Sequence, residues 1–216
     1  MPDVRAVIFD LDGVLTDTAE YHYRGWQRLA DEEGVPFDRE KNEALRGVSR
    51  NESLLLLLDG REVSEEAFAE MAARKNGYYL EYLQDMSPAD LLPGAVALVE
   101  DAKARGWKVA IGSSSKNAGF VLDALGITEL FDAVADGHSV DRAKPEPDLF
   151  LEAAAMLGVP PESCVVIEDA ESGVDAAIAA GMIAVGVGPE ERVGHAPHRF
   201  ATVEDIDLDQ VLDTTD

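Results

Sequence analysis

Ala6-Val7-Ile8-Phe9-Asp10-Leu11-Asp12-Gly13 decides the fold: four apolar residues run without alternation, then two carboxylates appear two positions apart before a glycine. An unbroken apolar run of this length is the pattern of a strand buried on both faces of a parallel sheet. The same pattern recurs at residues 108–111, 164–167 and 183–187, and more briefly at 131–135. Helical patterns separate these runs, at 94–105, 118–125, 148–157 and 174–180. They close on Gly106, Gly126, Gly158 and Gly181, where a left-handed helix cap is expected. Strands alternating with helices predict an α/β fold, a doubly wound parallel sheet of Rossmann-like type.

Segment 16–87 breaks the rhythm. It offers no strand and several helical patterns, at 21–33, 51–58 and 65–83, with 85–93 as a return linker. The expected organisation is therefore an α/β core from residues 1–15 and 88–216, with an inserted α-helical cap from 16–87. The 216 residues suffice for a core domain and a small insert. The acidic tail after Val203 predicts a surface helix or a frayed end.

The net charge is −25 and the pI near 4.3. This argues against nucleic-acid binding, which needs a basic surface. An anionic substrate would need local positive charge from a metal, a few Lys or Arg, and helix N-termini. An ordinary acidic composition is the reading preferred over salt adaptation. No apolar run is long enough to cross a bilayer, and the start at Met1-Pro2-Asp3 lacks the pattern of a signal peptide. Cys164 stands alone beside Val165-Val166-Ile167, as a buried thiol would. The expected location is cytoplasmic. The acidic surface, with no obvious apolar patch, points to a monomer.

In a parallel sheet of this kind, ligands bind outside the carboxyl ends of the strands. Those ends carry Asp10 and Asp12, then Ser113-Ser114-Ser115-Lys116-Asn117, then Glu168-Asp169, with the loop Lys144-Pro145 between. Four carboxylates at one edge repel unless cations balance them. A hard divalent ion, Mg²⁺ where phosphate is handled, is the natural balance. Asp10 and Asp169 are the expected direct ligands, Asp12 a ligand through its backbone carbonyl, and Glu168 a direct or water-mediated one. Residues two apart on a strand share a face. Asp10 can therefore serve as nucleophile while Asp12 exchanges a proton with the leaving or attacking oxygen. Lys144, the hydroxyl and N–H of Ser113, and the amides after Leu11 are expected around the transferred oxygens. In the insert, Ser49-Arg50-Asn51-Glu52 reads as a capping box. Arg50 is then either a solvated side chain or an anion ligand at a positive helix end. Trp26 shares a helix face with His22.

The order strand–Asp-x-Asp, strand–Ser, Lys–Pro, strand–Glu-Asp resembles the haloacid dehalogenase-like superfamily, with Phe9-Asp10-Leu11-Asp12-Gly13-Val14 similar to its first motif. Asp12 separates the chain from the dehalogenase branch. The resemblance is stronger to the sugar phosphomutases of that superfamily, over nearly the whole chain, at residues 9–21, 47–50, 74–76, 85–90, 113–117, 144–147 and 168–169. It implies a Mg²⁺-dependent exchange of β-glucose 1-phosphate and glucose 6-phosphate, with glucose 1,6-bisphosphate as intermediate and activator. It also implies a substrate loop at Gly47-Val48-Ser49-Arg50, and a distal phosphate site completed by Ser115, Lys116 and Asn117. By the same resemblance, Lys75 contacts the sugar, Thr18 touches substrate at the hinge, and His22 controls the proton on Asp12. The alternatives are a sugar-phosphate phosphatase on the same core and a non-catalytic sugar-phosphate-binding protein.

Overall fold

The computed structural model describes residues 3–213. The chain start at Met1-Pro2 and the last residues, 214–216, lie outside them. Chain order runs β1 (Ala6–Phe9), α1 (Ala19–Glu33), α2 (Arg39–Glu43), α3 (Arg50–Leu58), α4 (Glu65–Tyr82), α5 (Ala95–Ala104), β2 (Lys108–Gly112) and α6 (Ala118–Leu125). It continues through β3 (Ala133–Ala135), α7 (Asp148–Leu157), β4 (Cys164–Glu168), α8 (Glu171–Ala179), β5 (Ile183–Val187), α9 (Glu190–Val193), β6 (His198–Phe200) and α10 (Leu208–Leu212). The strands form one parallel sheet in the order β3-β2-β1-β4-β5-β6.

β1 lies in the middle, pairing Phe9 with Ile111 on one side and Ile167 on the other. Alternate residues feed opposite faces. Val7 and Phe9 pack with Leu98, Val121 and Leu122 beneath α5 and α6. Ala6 and Ile8 pack with Phe150, Ala153 and Val174 beneath α7 and α8. Both faces are covered, which is why β1 is apolar at every position. Burying Ile8 or Phe9 contributes roughly 1.5–3 kcal/mol each.

The closing glycines all have positive φ, from 66° at Gly158 to 78° at Gly106. The sheet has one strand more than the sequence patterns announce, β6. The tail does not fray within the described residues: Leu208 and Val211 of α10 are buried in the core.

Helices α1 to α4 form a separate layer with its own core of Trp26, Leu29, Leu54, Leu57 and Met71. Helix α2, absent from the expected helices, starts on Asp38, whose side chain accepts from the Lys41 N–H. The chain leaves and re-enters the sheet layer side by side. Leu92 N–H donates to Leu15 O at 2.9 Å, and Thr16 Oγ1 donates to Asp90 O at 2.8 Å.

Candidate active site

The carboxyl ends of β1 and β4 meet above the middle of the sheet. Asp10, Glu168 and Asp169 are buried, and each offers an oxygen within 4.8 Å of the others. Lys144 is fully buried between two of them, its Nζ 2.6 Å from Asp10 Oδ1 and 2.7 Å from Glu168 Oε1. Burial opposes the charge on this lysine, but Asp10 and Glu168 outweigh burial and raise its pKa. Burial lifts the Asp10 pKa well above the carboxylate range; Glu168, Asp12 and Asp169 add to the rise and Lys144 opposes it. Asp169 is pushed up to about 7 by burial and by Glu168, against Arg46 and Arg192.

The donor set fits a hard divalent cation. It consists of buried carboxylate oxygens, which is the ligand chemistry such an ion prefers. Lys144 occupies one Asp10 oxygen and Arg46 one Asp169 oxygen. Glu168 has both oxygens engaged, the second by the Ala170 N–H at 2.7 Å. The tight turn after β1 uses the Leu11 carbonyl and the Gly13 N–H, which donates to Thr16 O at 2.7 Å. The Asp12 carbonyl accepts no hydrogen bond from the described residues. Gly13 has φ 90°, and a Cβ there would lie 2.3 Å from Asp169 Oδ2. The turn thus needs glycine in order to lie against the carboxylate.

One expectation is corrected here and another, the use of the amides after Leu11, is narrowed. The Ser113 N–H is not free to hold an anion: β2 continues one step, and it donates to Ala135 O at 3.1 Å. The Gly13 amide is likewise used in the turn. The Ser113 hydroxyl is buried and accepts from the Ser115 N–H at 3.2 Å, which leaves its own proton to donate.

Asp12 stands at the mouth of the cluster and accepts a hydrogen bond from the Thr18 hydroxyl. Burial raises its pKa, and the Thr18 bond, Lys144 and Lys75 act against the rise. His22 Nε2 is 3.9 Å from Asp12 Oδ1, and its ring stacks on Tyr79 with centroids 4.1 Å apart. His22 Nδ1 is 2.8 Å from Lys75 Nζ. Burial and Lys75 depress the His22 pKa well below its usual value, so the ring is neutral. Nδ1 then accepts from Lys75, and Nε2–H faces Asp12. Lys75 is buried, lies 4.7 Å from the centre of the Trp26 ring, and is lowered to about 7 by burial and by Arg50.

A cavity of about 570 Å³ separates the two layers. Asp10 and Asp12 line it together with Thr18, His22, Trp26 and Lys75. Arg50, Ser115, Lys116 and Asn117 line it as well. Gly47, Val48 and Ser49 also border it. Arg50 opens α3, whose N-cap Ser49 accepts from the Glu52 N–H while Glu52 accepts from the Ser49 N–H, as the spacing predicts. Asn117 Nδ2 donates to Asn76 Oδ1 at 2.8 Å, joining the layers.

Three cavity or wall residues escape sequence reasoning. Ser114 donates to Gly47 O at 3.1 Å across the cleft. Arg46 reaches Asp169 at 3.0 Å. Tyr79 backs His22. Ser114 stands inside the quoted serine run and Arg46 just before the quoted loop, so position alone could have drawn attention to both. Tyr79 reads as an ordinary apolar position of a helix.

A parallel sheet with an aspartate pair at the end of its middle strand, a buried lysine and an acidic pair one strand over defines a phosphoryl-transfer class. A profile of the haloacid dehalogenase-like hydrolases matches residues 4–181, and the chain belongs to that family. It is 47% identical over 189 residues to a β-phosphoglucomutase of Bacillus subtilis strain 168, covering 86% of this chain and 84% of that protein. A crystal structure of β-phosphoglucomutase from Clostridium difficile superposes with TM-score 0.93 at 40% identity, covering 97% of this chain and 96% of the other. A phosphorylated-carbohydrate phosphatase of Thermotoga maritima is 32% identical, over 83% of this chain and 82% of that protein.

Proposed function

We propose that the chain is a β-phosphoglucomutase, interconverting β-D-glucose 1-phosphate and glucose 6-phosphate through β-glucose 1,6-bisphosphate. The observation that supports this reading is that one cavity is lined both by the Asp10–Asp12 pair and by a second set of anion-binding side chains, Arg50, Lys116 and Asn117. A hydrolase needs only a place for the transferring phosphate, whereas a mutase must also hold the other end of a bisphosphate.

Asp10 is the nucleophile, oriented by Lys144. In the first half-reaction the 6-hydroxyl of the sugar attacks phosphorylated Asp10. The O–P bond to Asp10 breaks, and Asp12 takes the hydroxyl proton. The bisphosphate turns over in the cavity. Asp10 then attacks the phosphorus at C1, and Asp12 returns the proton to the leaving oxygen. The raised Asp12 pKa suits both directions. Thr18 and the His22–Lys75 pair hold the Asp12 carboxylate. Asp10, Asp169 and the Asp12 carbonyl, with Glu168 directly or through water, would hold Mg²⁺, which would offset charge on the transferring oxygens. The Ser113 hydroxyl and Lys144 serve the same oxygens. Arg50, Lys116, Asn117 and Ser115 hold the idle phosphate, and Ser49, Gly47 and Val48 shape that end. Lys75 and Trp26 face the sugar. Segment 16–87 acts as the cap, turning on the hydrogen-bonded connections at 15–16 and 90–92, and its closure excludes the water that would hydrolyse the aspartyl-phosphate.

A second reading is a sugar-phosphate phosphatase, favoured by the Thermotoga relative's named activity. A coupled assay separates the two. With β-glucose 1-phosphate, Mg²⁺ and a trace of bisphosphate, the mutase yields glucose 6-phosphate, and free phosphate in its place would establish the phosphatase. Asp10→Asn removes the acceptor and is expected to lower kcat by at least about 10⁴-fold. Turnover retained in that variant would overturn both readings.

A further inference from the structure

Four charged side chains link the two layers behind the cleft. Arg46, on the helical side, places Nη1 3.0 Å from Asp169 Oδ2. Arg192, on α9 of the sheet layer, places Nη2 3.7 Å from the same oxygen and Nη1 3.9 Å from Glu43 on α2. Arg46 Nε lies 3.5 Å from Glu43. Two arginines and two carboxylates thus alternate in a closed ring that crosses the seam twice. The arginines are mostly sheltered, with side-chain exposures of 22% and 27%, and both Nε atoms are buried without a hydrogen-bond partner. Guanidiniums desolvated in this way are tolerated where ion pairs offset the cost.

The ring also stands between two cavities. Arg46 borders the catalytic cavity and a second groove of about 580 Å³, which Glu43, Pro145, Ser172 and Arg192 also line. Closure must work against charge as well. Segment 16–87 has 16 acidic and 9 basic side chains, and the rest of the chain 27 and 9, so two negative bodies approach each other. Contacts of opposite sign at the seam offset part of that repulsion.

We propose that Arg192 is a positioning residue for closure. With Arg46, Glu43 and Asp169 it forms an ionic clasp that shuts the rear of the cleft and separates the outer groove's water from the transfer chamber. Its catalytic consequence rests on the phosphomutase reading; the clasp itself does not.

The test uses the full chain with Mg²⁺ and two readouts. One is hydrogen exchange at the amides of residues 47–50 without substrate. The other is free phosphate released per glucose 6-phosphate formed. Arg192→Met and Glu43→Gln are each expected to speed the exchange about fivefold and to raise the phosphate ratio and KM by a similar factor, with kcat little changed. Arg192→Lys should restore most of the wild-type behaviour, and the double variant should be no worse than the worse single one. Glu43→Gln, at an exposed helix end, decides the matter if Arg192→Met does not fold. Unchanged exchange in both variants, or strictly additive effects, overturns the clasp. Faster exchange in a protein that does not turn over glucose phosphates would uphold the clasp and reject the phosphomutase.

Discussion

Lys75 shows how the site trades stability for chemistry. It is buried against Trp26 and Tyr79 with one nitrogen of His22 as its hydrogen-bond partner, and its pKa falls to about 7. A lysine lowered in the folded state binds fewer protons folded than unfolded between pH 7 and its ordinary value. Folding stability therefore rises with pH through that window, and the full cost of burying the charge is present below pH 7. Lys75→Met is expected to stabilise the protein by about 2 kcal/mol at pH 6 and by much less at pH 10. Denaturant unfolding at the two pH values checks this. The same change should lower kcat/KM, because the neutral His22 loses the donor that fixes its tautomer, and with it the N–H facing Asp12.

At the scale of elements, the loop before α3 decides how closely the helical layer can seat. Gly47 has φ 75°, and a Cβ there would lie 2.7 Å from both Ala170 Cβ and Ser172 Oγ at the start of α8. Gly47→Ala is expected to hold the layers apart and cut kcat/KM by at least about tenfold, while costing only about 1 kcal/mol of stability. Steady-state kinetics paired with thermal unfolding would show the split. The strand ends are legible in sequence because an apolar run followed by Asp or Glu is a local pattern, and a parallel sheet gathers such ends at one edge. The capping box at Ser49 is legible for the same reason. The partner of Asp169 is not: Arg46 lies 123 residues away, and no local spacing announces it. β6 is hidden because His198-Arg199-Phe200 is a short edge strand with one neighbour and no apolar run. The use of the Ser113 N–H depends on how far β3 extends beside β2, which is a matter of register.

For the molecule as a whole, electrostatics and stability are coupled at the acidic cluster. Asp10 and Glu168 share Lys144 and Asp169 leans on Arg46 and Arg192, yet three buried carboxylates still meet at one point, so a divalent cation would relieve repulsion that the fold otherwise sustains. Mg²⁺ at a hundred times its Kd is expected to add about 2.7 kcal/mol to stability, and chelation should remove both that gain and the turnover. Thermal scans with and without EDTA measure the first, and the coupled assay the second. The placement of β1 has a consequence for how the chain is made. This strand leaves the ribosome well before its neighbours β2 and β4, which begin at Lys108 and Cys164. Meanwhile α1 to α4 can complete their own core around Trp26 and Leu54. The growing chain therefore carries a finished helical body beside an unpartnered Ala6-Val7-Ile8-Phe9. Such distant pairing folds slowly and leaves an apolar edge open to self-association until the second half of the chain arrives.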